Sequence, residues 1–186
     1  MNYIVTGPIC SGKSTFLDIA KKFGFNILKS DDLVTALYED ENIKYQLSEI
    51  FKIKIPDTAI KETIRKLFFK SQSNRMIIEN ILHPIVHSQI EYELRSNKNI
   101  FIELPPIKSN ILLIKNNKSI YIECDINIRK KRYKNRHCED DALSFNKINE
   151  YQSDSLLIRT YCDIIIINEY KEDSFNEYFE KDIIKS

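Results

Sequence analysis

The stretch Gly7-Pro8-Ile9-Cys10-Ser11-Gly12-Lys13-Ser14 constrains this chain more than any other. The chain has only three glycines, Gly7, Gly12 and Gly24, and two of them lie in this window. Glycine used so sparingly marks backbone geometry that other residues adopt only at a cost. Before the window stands the apolar run Tyr3-Ile4-Val5-Thr6, which reads as a buried strand. After it, Phe16, Ile19, Ala20 and Phe23 recur on one helical face, and Gly24 stands where a C-terminal cap would end the helix. The expected order is strand, glycine turn, helix.

The window satisfies Gly-x-x-x-x-Gly-Lys-Ser in the strand-to-helix context that gives the pattern meaning. Gly7 and Gly12 let the backbone wrap, with Cys10 and Ser11 between them, so that successive N–H groups point inward. The helix that follows adds its unpaired amides and positive dipole end. Lys13 would then reach the β- and γ-phosphates of a nucleotide, Ser14 would offer its hydroxyl to Mg²⁺, and Thr15 would contact the α-phosphate region. A turn that merely joins strand to helix leaves Lys13 and Ser14, directly after Gly12, unexplained.

Further short β-branched runs follow at Asn26–Leu28, Asn99–Glu103, Ser119–Cys124 and Ile164–Asn168. Five strands separated by longer segments predict an α/β fold, a five-stranded parallel sheet flanked by helices. The stretch 33–98 contains only helical periodicities, such as Ile77-Ile78-Ile81-Leu82, and is longer than a plain crossover needs. It reads as a helical insertion. Residues 127–149 are densely charged, with Arg129, Lys130, Lys131, Arg132, Lys134 and Arg136 on one expected helix. Ser174-Phe175-Asn176-Glu177 matches a capping box opening a last helix, with Phe175, Tyr178, Phe179 and Ile183 inward.

The 28 basic and 27 acidic residues balance, which gives no electrostatic footprint for nucleic acid or an anionic membrane. The four cysteines are isolated, which suits a reducing cytoplasm. The aliphatic run Ile164–Ile167 is far too short to span a bilayer, so a soluble protein is expected.

No Asn-Lys-x-Asp segment is present to read a guanine base, so a kinase for a small acceptor fits better than a GTPase. Such a kinase needs a carboxylate near the acceptor hydroxyl. Asp31 follows the second strand, at the edge where open α/β sheets bind ligands. Asp31 or Asp32 capping a helix that starts at Leu33 is the competing reading. Glu103 ends the third strand and is either a carboxylate that holds Mg²⁺ through water or a strand-end acid without a metal. Arg132 and Arg136 lie one helical turn apart and share a face, so both can reach phosphates, whereas Lys130, Lys131 and Lys134 suit a solvated face. His83 before Pro84 reads as the end of a helix, because proline pushes the preceding residue out of the helical region.

Taken together, the chain resembles the dephospho-coenzyme A kinases, a P-loop kinase family. The resemblance rests on the loop Gly7–Thr15, Asp31, Leu82-His83-Pro84, Glu103-Leu104-Pro105-Pro106-Ile107, Arg132 with Arg136, and Gln152 followed by Asp163. It implies ATP- and Mg²⁺-dependent phosphorylation of the ribose 3′-hydroxyl of dephospho-CoA. It also implies an acceptor-binding region at 33–98 and a mobile lid at 127–149, with Lys13, Asp31 and Arg132 catalytic. His83 and Pro105 are acceptor-side by the same resemblance, and Ser14 and Glu103 are metal-side.

The chain departs from the family where Lys29-Ser30-Asp31 replaces Asp-x-Asp, where Pro8 and Cys10 replace glycines, and where Ser109 replaces an acid. A related kinase acting on another nucleoside or nucleotide therefore stays open. So does a nucleotide-binding regulatory protein without transfer, although Lys13, Ser14, Asp31 and Arg132 argue against it.

Overall fold

The computed structural model describes residues 1–56, 59–136, 142–169 and 172–183. Strand β1 (Asn2–Thr6) is buried on both faces from Tyr3 onward, which is why its sequence is unbroken apolar rather than alternating. The chain then turns through Gly7–Gly12 into helix α1 (Lys13–Lys22) and returns as β2 (Asn26–Lys29). The N–H of Phe25 donates to Ala20 O and that of Gly24 to Lys21 O, the paired bonds of a Schellman cap. Phe16 of α1 is fully buried in a cluster with Tyr3, Val5, Phe101, Ile122, Phe175 and Phe179. Its ring lies 5.3 Å from Phe175 and 4.8 Å from Phe179. Truncating such a residue to Ala costs about 3–5 kcal/mol.

The chain divides into two compact units, Met1–Leu28 with Leu94–Ser186, and Lys29–Glu93. Beyond Lys29, the end of β2, the regular elements described in the second unit are helices. The unit comprises α2 (Ser30–Tyr38), α3 (Glu41–Phe51), α4 (Ile60–Lys70) and most of α5 (Gln72–Ser96). Ile43, Leu47, Ile55, Ile60, Ile64, Ile78 and Leu82 form its core. Asp40 caps α3, its Oδ1 accepting from the N–H of Asn42 at 2.8 Å and of Ile43 at 3.2 Å.

Two boundaries differ from expectation here. The first helix begins at Ser30 rather than Leu33, and α5 runs through His83-Pro84 without ending. In α5 the buried stripe Ile78, Leu82, Val86 and Ile90 continues across the proline. Pro84 and Asn80 are both exposed, so water can satisfy the carbonyl that the ring leaves without its helical donor.

The first unit continues with β3 (Ile100–Glu103), a 3₁₀ turn (Lys108–Asn110), α6 (Ile111–Lys115), β4 (Ser119–Glu123), α7 (Ile126–Arg136), α8 (Ala142–Tyr151), α9 (Ser155–Arg159), β5 (Ile164–Ile167) and α10 (Glu172–Tyr178). The expected cap at Ser174 is not where the last helix starts, because α10 opens at Glu172. Burial of Phe175, Phe179 and Ile183 in the sheet cluster anchors this segment instead.

The sheet is parallel with order β2-β3-β1-β4-β5. Val5 pairs with both Glu103 and Ile120, and Glu123 with Ile167. The chain leaves β1 toward one edge and β4 toward the other, so a crevice opens at the carboxyl ends of these neighbours, where open α/β sheets bind ligands. No helix among the described residues is long and apolar enough to cross a membrane.

Candidate active site

Four parallel strands deliver residues to that crevice: β1 the loop Gly7–Gly12, β3 Glu103, β4 the helix α7, and β5 Asn168. The loop is pressed against its neighbours. A Cβ on Gly7 (φ 146°) would stand 2.4 Å from the Ile122 carbonyl oxygen, and one on Gly12 (φ 108°) 2.1 Å from Asn168 Nδ2. A side chain at Gly7 requires the loop or the β4 backbone to shift, and one at Gly12 the loop or the Asn168 side chain. Cys10 adopts a left-handed conformation at φ 59° despite its side chain. Burial pushes its thiol pKa up, against the pull of Arg136, Lys13, Arg129 and Arg132.

Gly12 is the N-cap of α1 and contributes no side-chain bond, and the first turn holds no acid. No side chain of the cap or of the first turn places negative charge at this positive end of the helix dipole, where an anion is favoured. Lys13 Nζ donates to Gly7 O at 2.9 Å and Pro8 O at 3.2 Å, and lies 3.6 Å from Glu103 Oε1. Ser14 is exposed in the first turn.

Two amide side chains hold the loop from outside. Gln152 Oε1 accepts from the N–H of Ile9 at 2.7 Å, and Asn168 Nδ2 donates to Ser11 O at 2.7 Å. Two arginines from α7 reach the same backbone. Arg129 is buried and donates to Cys124 O, Ile9 O and Asn149 Oδ1. Arg132 Nη1 donates to Cys10 O at 3.3 Å and Ser11 O at 3.2 Å, while its Nη2 donates to Asn168 Oδ1 at 3.3 Å. Arg136 is exposed on the same helix, with Lys130, Lys131 and Lys134. A carboxyl-edge loop with an open helix end, a lysine and an arginine is built to hold and neutralise a polyphosphate.

A family model described as dephospho-CoA kinase matches residues 3–173. The chain belongs to the dephospho-CoA kinase family. A dephospho-CoA kinase of Buchnera aphidicola is 29% identical over 182 residues, covering 92% of this chain and 85% of that protein. One of Borreliella burgdorferi is 29% identical over 191 residues, covering 97% and 90%. The solved dephospho-CoA kinase from Campylobacter jejuni superposes with a TM-score of 0.65 at 24% identity, covering 95% of this chain and 92% of that one, a likeness of fold.

The helical unit of this dephospho-CoA kinase family member carries Asp31 and His83. Asp31 and Asp32 are exposed in the first turn of α2, and neither is its N-cap, a position held by Lys29 without a side-chain bond. The Asp31 carbonyl accepts from the Thr35 hydroxyl at 2.8 Å. Burial, and then the negative charge of Asp31, pushes the Tyr38 phenol up to about 12. The His83 ring stacks on His87 at 5.7 Å. Burial draws the His83 pKa below its ordinary value, with Glu79 opposing and His87 adding to the shift. In the other unit, the Pro105 carbonyl accepts from Asn110 Nδ2 and the Ile107 N–H, both at 2.9 Å, shaping the turn after β3.

The structure thus gathers Gly7, Cys10, Ser11, Gly12, Lys13, Glu103 and Arg132 in one unit. It adds Arg129 and Asn168, which were not expected as part of the site, and gives Gln152, a residue of the resemblance with no role assigned to it, a bond to the loop. Arg129 had a signal, since it stands one helical turn before Arg132 and so shares its face. Asn168 had none, because an asparagine after a strand reads as an ordinary turn residue.

Proposed function

We infer that the chain transfers the γ-phosphoryl group of ATP to the ribose 3′-hydroxyl of dephospho-CoA, giving CoA and ADP in the last step of coenzyme A synthesis. The observation that carries this reading is the phosphate loop bonded by Arg132 and filled by Lys13, in a chain of the dephospho-CoA kinase family. Phosphoryl transfer asks a protein mainly for positioning and charge stabilisation, because the transition state is loose and its charge is spread over the equatorial oxygens. Lys13 and Arg132 supply positive charge, joined by Arg136 from the lid segment 127–149. Gly7, Cys10, Ser11, Gly12 and Thr15 hold the nucleotide phosphates through the loop and the first helical turn. Asp31, just ahead of the region 33–98, orients the acceptor hydroxyl and takes its proton late, His83 within that region lines the acceptor pocket, and Pro105 contributes from the turn after β3.

The residues at the loop fit a magnesium ion, which prefers oxygen ligands. The Ser14 hydroxyl is exposed in the first turn of α1, and the Glu103 carboxylate stands beside Lys13. Bound there, the ion would neutralise charge on the phosphates. A cytoplasmic location suits the free cysteines Cys10, Cys124 and Cys162.

The test is to incubate the purified protein with MgATP and either dephospho-CoA or a panel of nucleosides and nucleoside monophosphates, and to measure ADP. ADP release with dephospho-CoA is expected. Release only with a nucleoside or nucleotide shifts the assignment to a related kinase, which the Lys29 and Ser109 departures favour as the second reading. ATP binding without turnover on any acceptor favours a regulatory protein.

A further inference from the structure

Asn168 follows the last strand, is buried, and bonds through its backbone N–H and both ends of its side-chain amide. Its backbone N–H donates to Glu123 O at 2.8 Å, which extends the β4–β5 ladder and fixes where the side chain starts. Its Nδ2 donates to Ser11 O at 2.7 Å, and its Oδ1 accepts from Arg132 Nη2 at 3.3 Å. The side chain is therefore a two-sided link, with the phosphate loop on one side and the α7 guanidinium on the other.

Both bonds depend on the amide's two ends being different. The NH₂ end can only donate and meets a carbonyl, while the oxygen end can only accept and meets a cation. Space is as restrictive as polarity, because the 2.1 Å approach to a Gly12 Cβ leaves room for this amide only while residue 12 is glycine. Ser11 O is a shared acceptor, since Arg132 Nη1 also donates to it at 3.2 Å. The loop carbonyl, the amide and the guanidinium thus close a ring of three mutually bonded groups. Moving any one changes the other two.

We propose that Asn168 is a positioning residue for phosphoryl transfer, setting the curvature of the phosphate loop at Ser11-Gly12 and the place from which Arg132 reaches the transferring group. This rests on the kinase reading above. Without the amide, Ser11 O keeps only the arginine, so a guanidinium needed at the phosphate is held by the loop backbone instead. Asn168 itself does not touch the reacting atoms.

The experiment compares the parent with Asn168→Ala, Asn168→Asp, Arg132→Ala and the Asn168→Ala/Arg132→Ala pair, using steady-state kinetics with each substrate varied and calorimetry with MgADP. Asn168→Ala is expected to raise the KM for ATP and the Kd for MgADP about tenfold and to lower kcat by a similar factor. The KM for dephospho-CoA stays within about twofold of the parent. The double variant loses no more kcat than Arg132→Ala alone, because the amide acts on kcat through the arginine. Asn168→Asp keeps the acceptor facing Arg132 and loses the donor facing Ser11, so its kcat recovers toward the parent while the KM for ATP stays high. The proposal is overturned if Asn168→Ala leaves the KM for ATP within about twofold, if both KM values rise together, or if the kcat losses in the double variant multiply. If the parent itself does not phosphorylate dephospho-CoA, the kinase reading fails separately. An unchanged Kd for MgADP in Asn168→Ala then overturns the proposal, and a tenfold weaker one supports it.

Discussion

The Lys13 ammonium lies 3.6 Å from the Glu103 carboxylate, and both side chains are largely buried. The pairing follows from the sheet, because Val5 of β1 pairs with Glu103 of β3 and the loop after β1 brings Lys13 back over that edge. Lys13→Ala is expected to lower kcat/KM about 10²- to 10³-fold, the usual cost of removing a preorganised donor from a developing charge. Glu103→Gln should cost about 10- to 100-fold and raise the Mg²⁺ concentration needed for half-maximal rate. An unchanged Mg²⁺ titration would leave Glu103 as the counter-ion of Lys13 and nothing more.

Asp31 stands exposed in the first turn of α2 and is not its N-cap, a position that Lys29 holds without a side-chain bond. Asp31→Asn should therefore leave folding and MgADP affinity unchanged while turnover falls about 10²- to 10⁴-fold, the range for removing a positioned proton acceptor. Parallel calorimetry and kinetics check this. Unaltered turnover would remove Asp31 from the acceptor side.

Gly12 and Cys10 both hold left-handed backbone, yet substitution should act in opposite directions. Gly12→Ala places a Cβ 2.1 Å from Asn168 Nδ2 at φ 108°, so stability should fall by about 1–3 kcal/mol and nucleotide affinity with it. Cys10→Gly relieves a strained φ of 59°, less the entropy glycine adds to the unfolded chain, for a net gain of about 0.5–1 kcal/mol. Urea midpoints of the two variants report both signs.

His83 carries a pKa lowered from 6.5 by burial. Below that value the unfolded chain binds a proton more readily than the folded one, so stability is lost as pH falls through 6.5 toward the folded value. Thermal midpoints measured between pH 7.5 and pH 5 should show this loss, and His83→Gln should flatten the slope. An identical slope in the variant would remove His83 as its source.

The sequence alone determined the parts whose physics is local. Glycine at positions 7 and 12, with Lys13 and Ser14 behind them, specifies a phosphate loop, and all three glycines do stand at positive φ. Short apolar runs specified five strands, of which β1, β3 and β4 are buried while the outer β2 and β5 are partly exposed, and the period of Ile77, Ile78, Ile81 and Leu82 specified helices in between. Where local signals conflicted with burial, burial won: α5 crosses Pro84 because its inward stripe continues, and α10 starts before Ser174 because Phe175 and Phe179 anchor it. Tertiary structure alone decided how the loop is held. Ile9 bonds Gln152 and Ser11 bonds Asn168, partners more than a hundred residues distant in sequence. They meet because the strand order sets β4 beside β1 and β5 beside β4, so the far end of the chain finishes at the carboxyl edge where the loop begins. No spacing in the sequence encodes that neighbourhood, since strand order arises from how the crossovers pack.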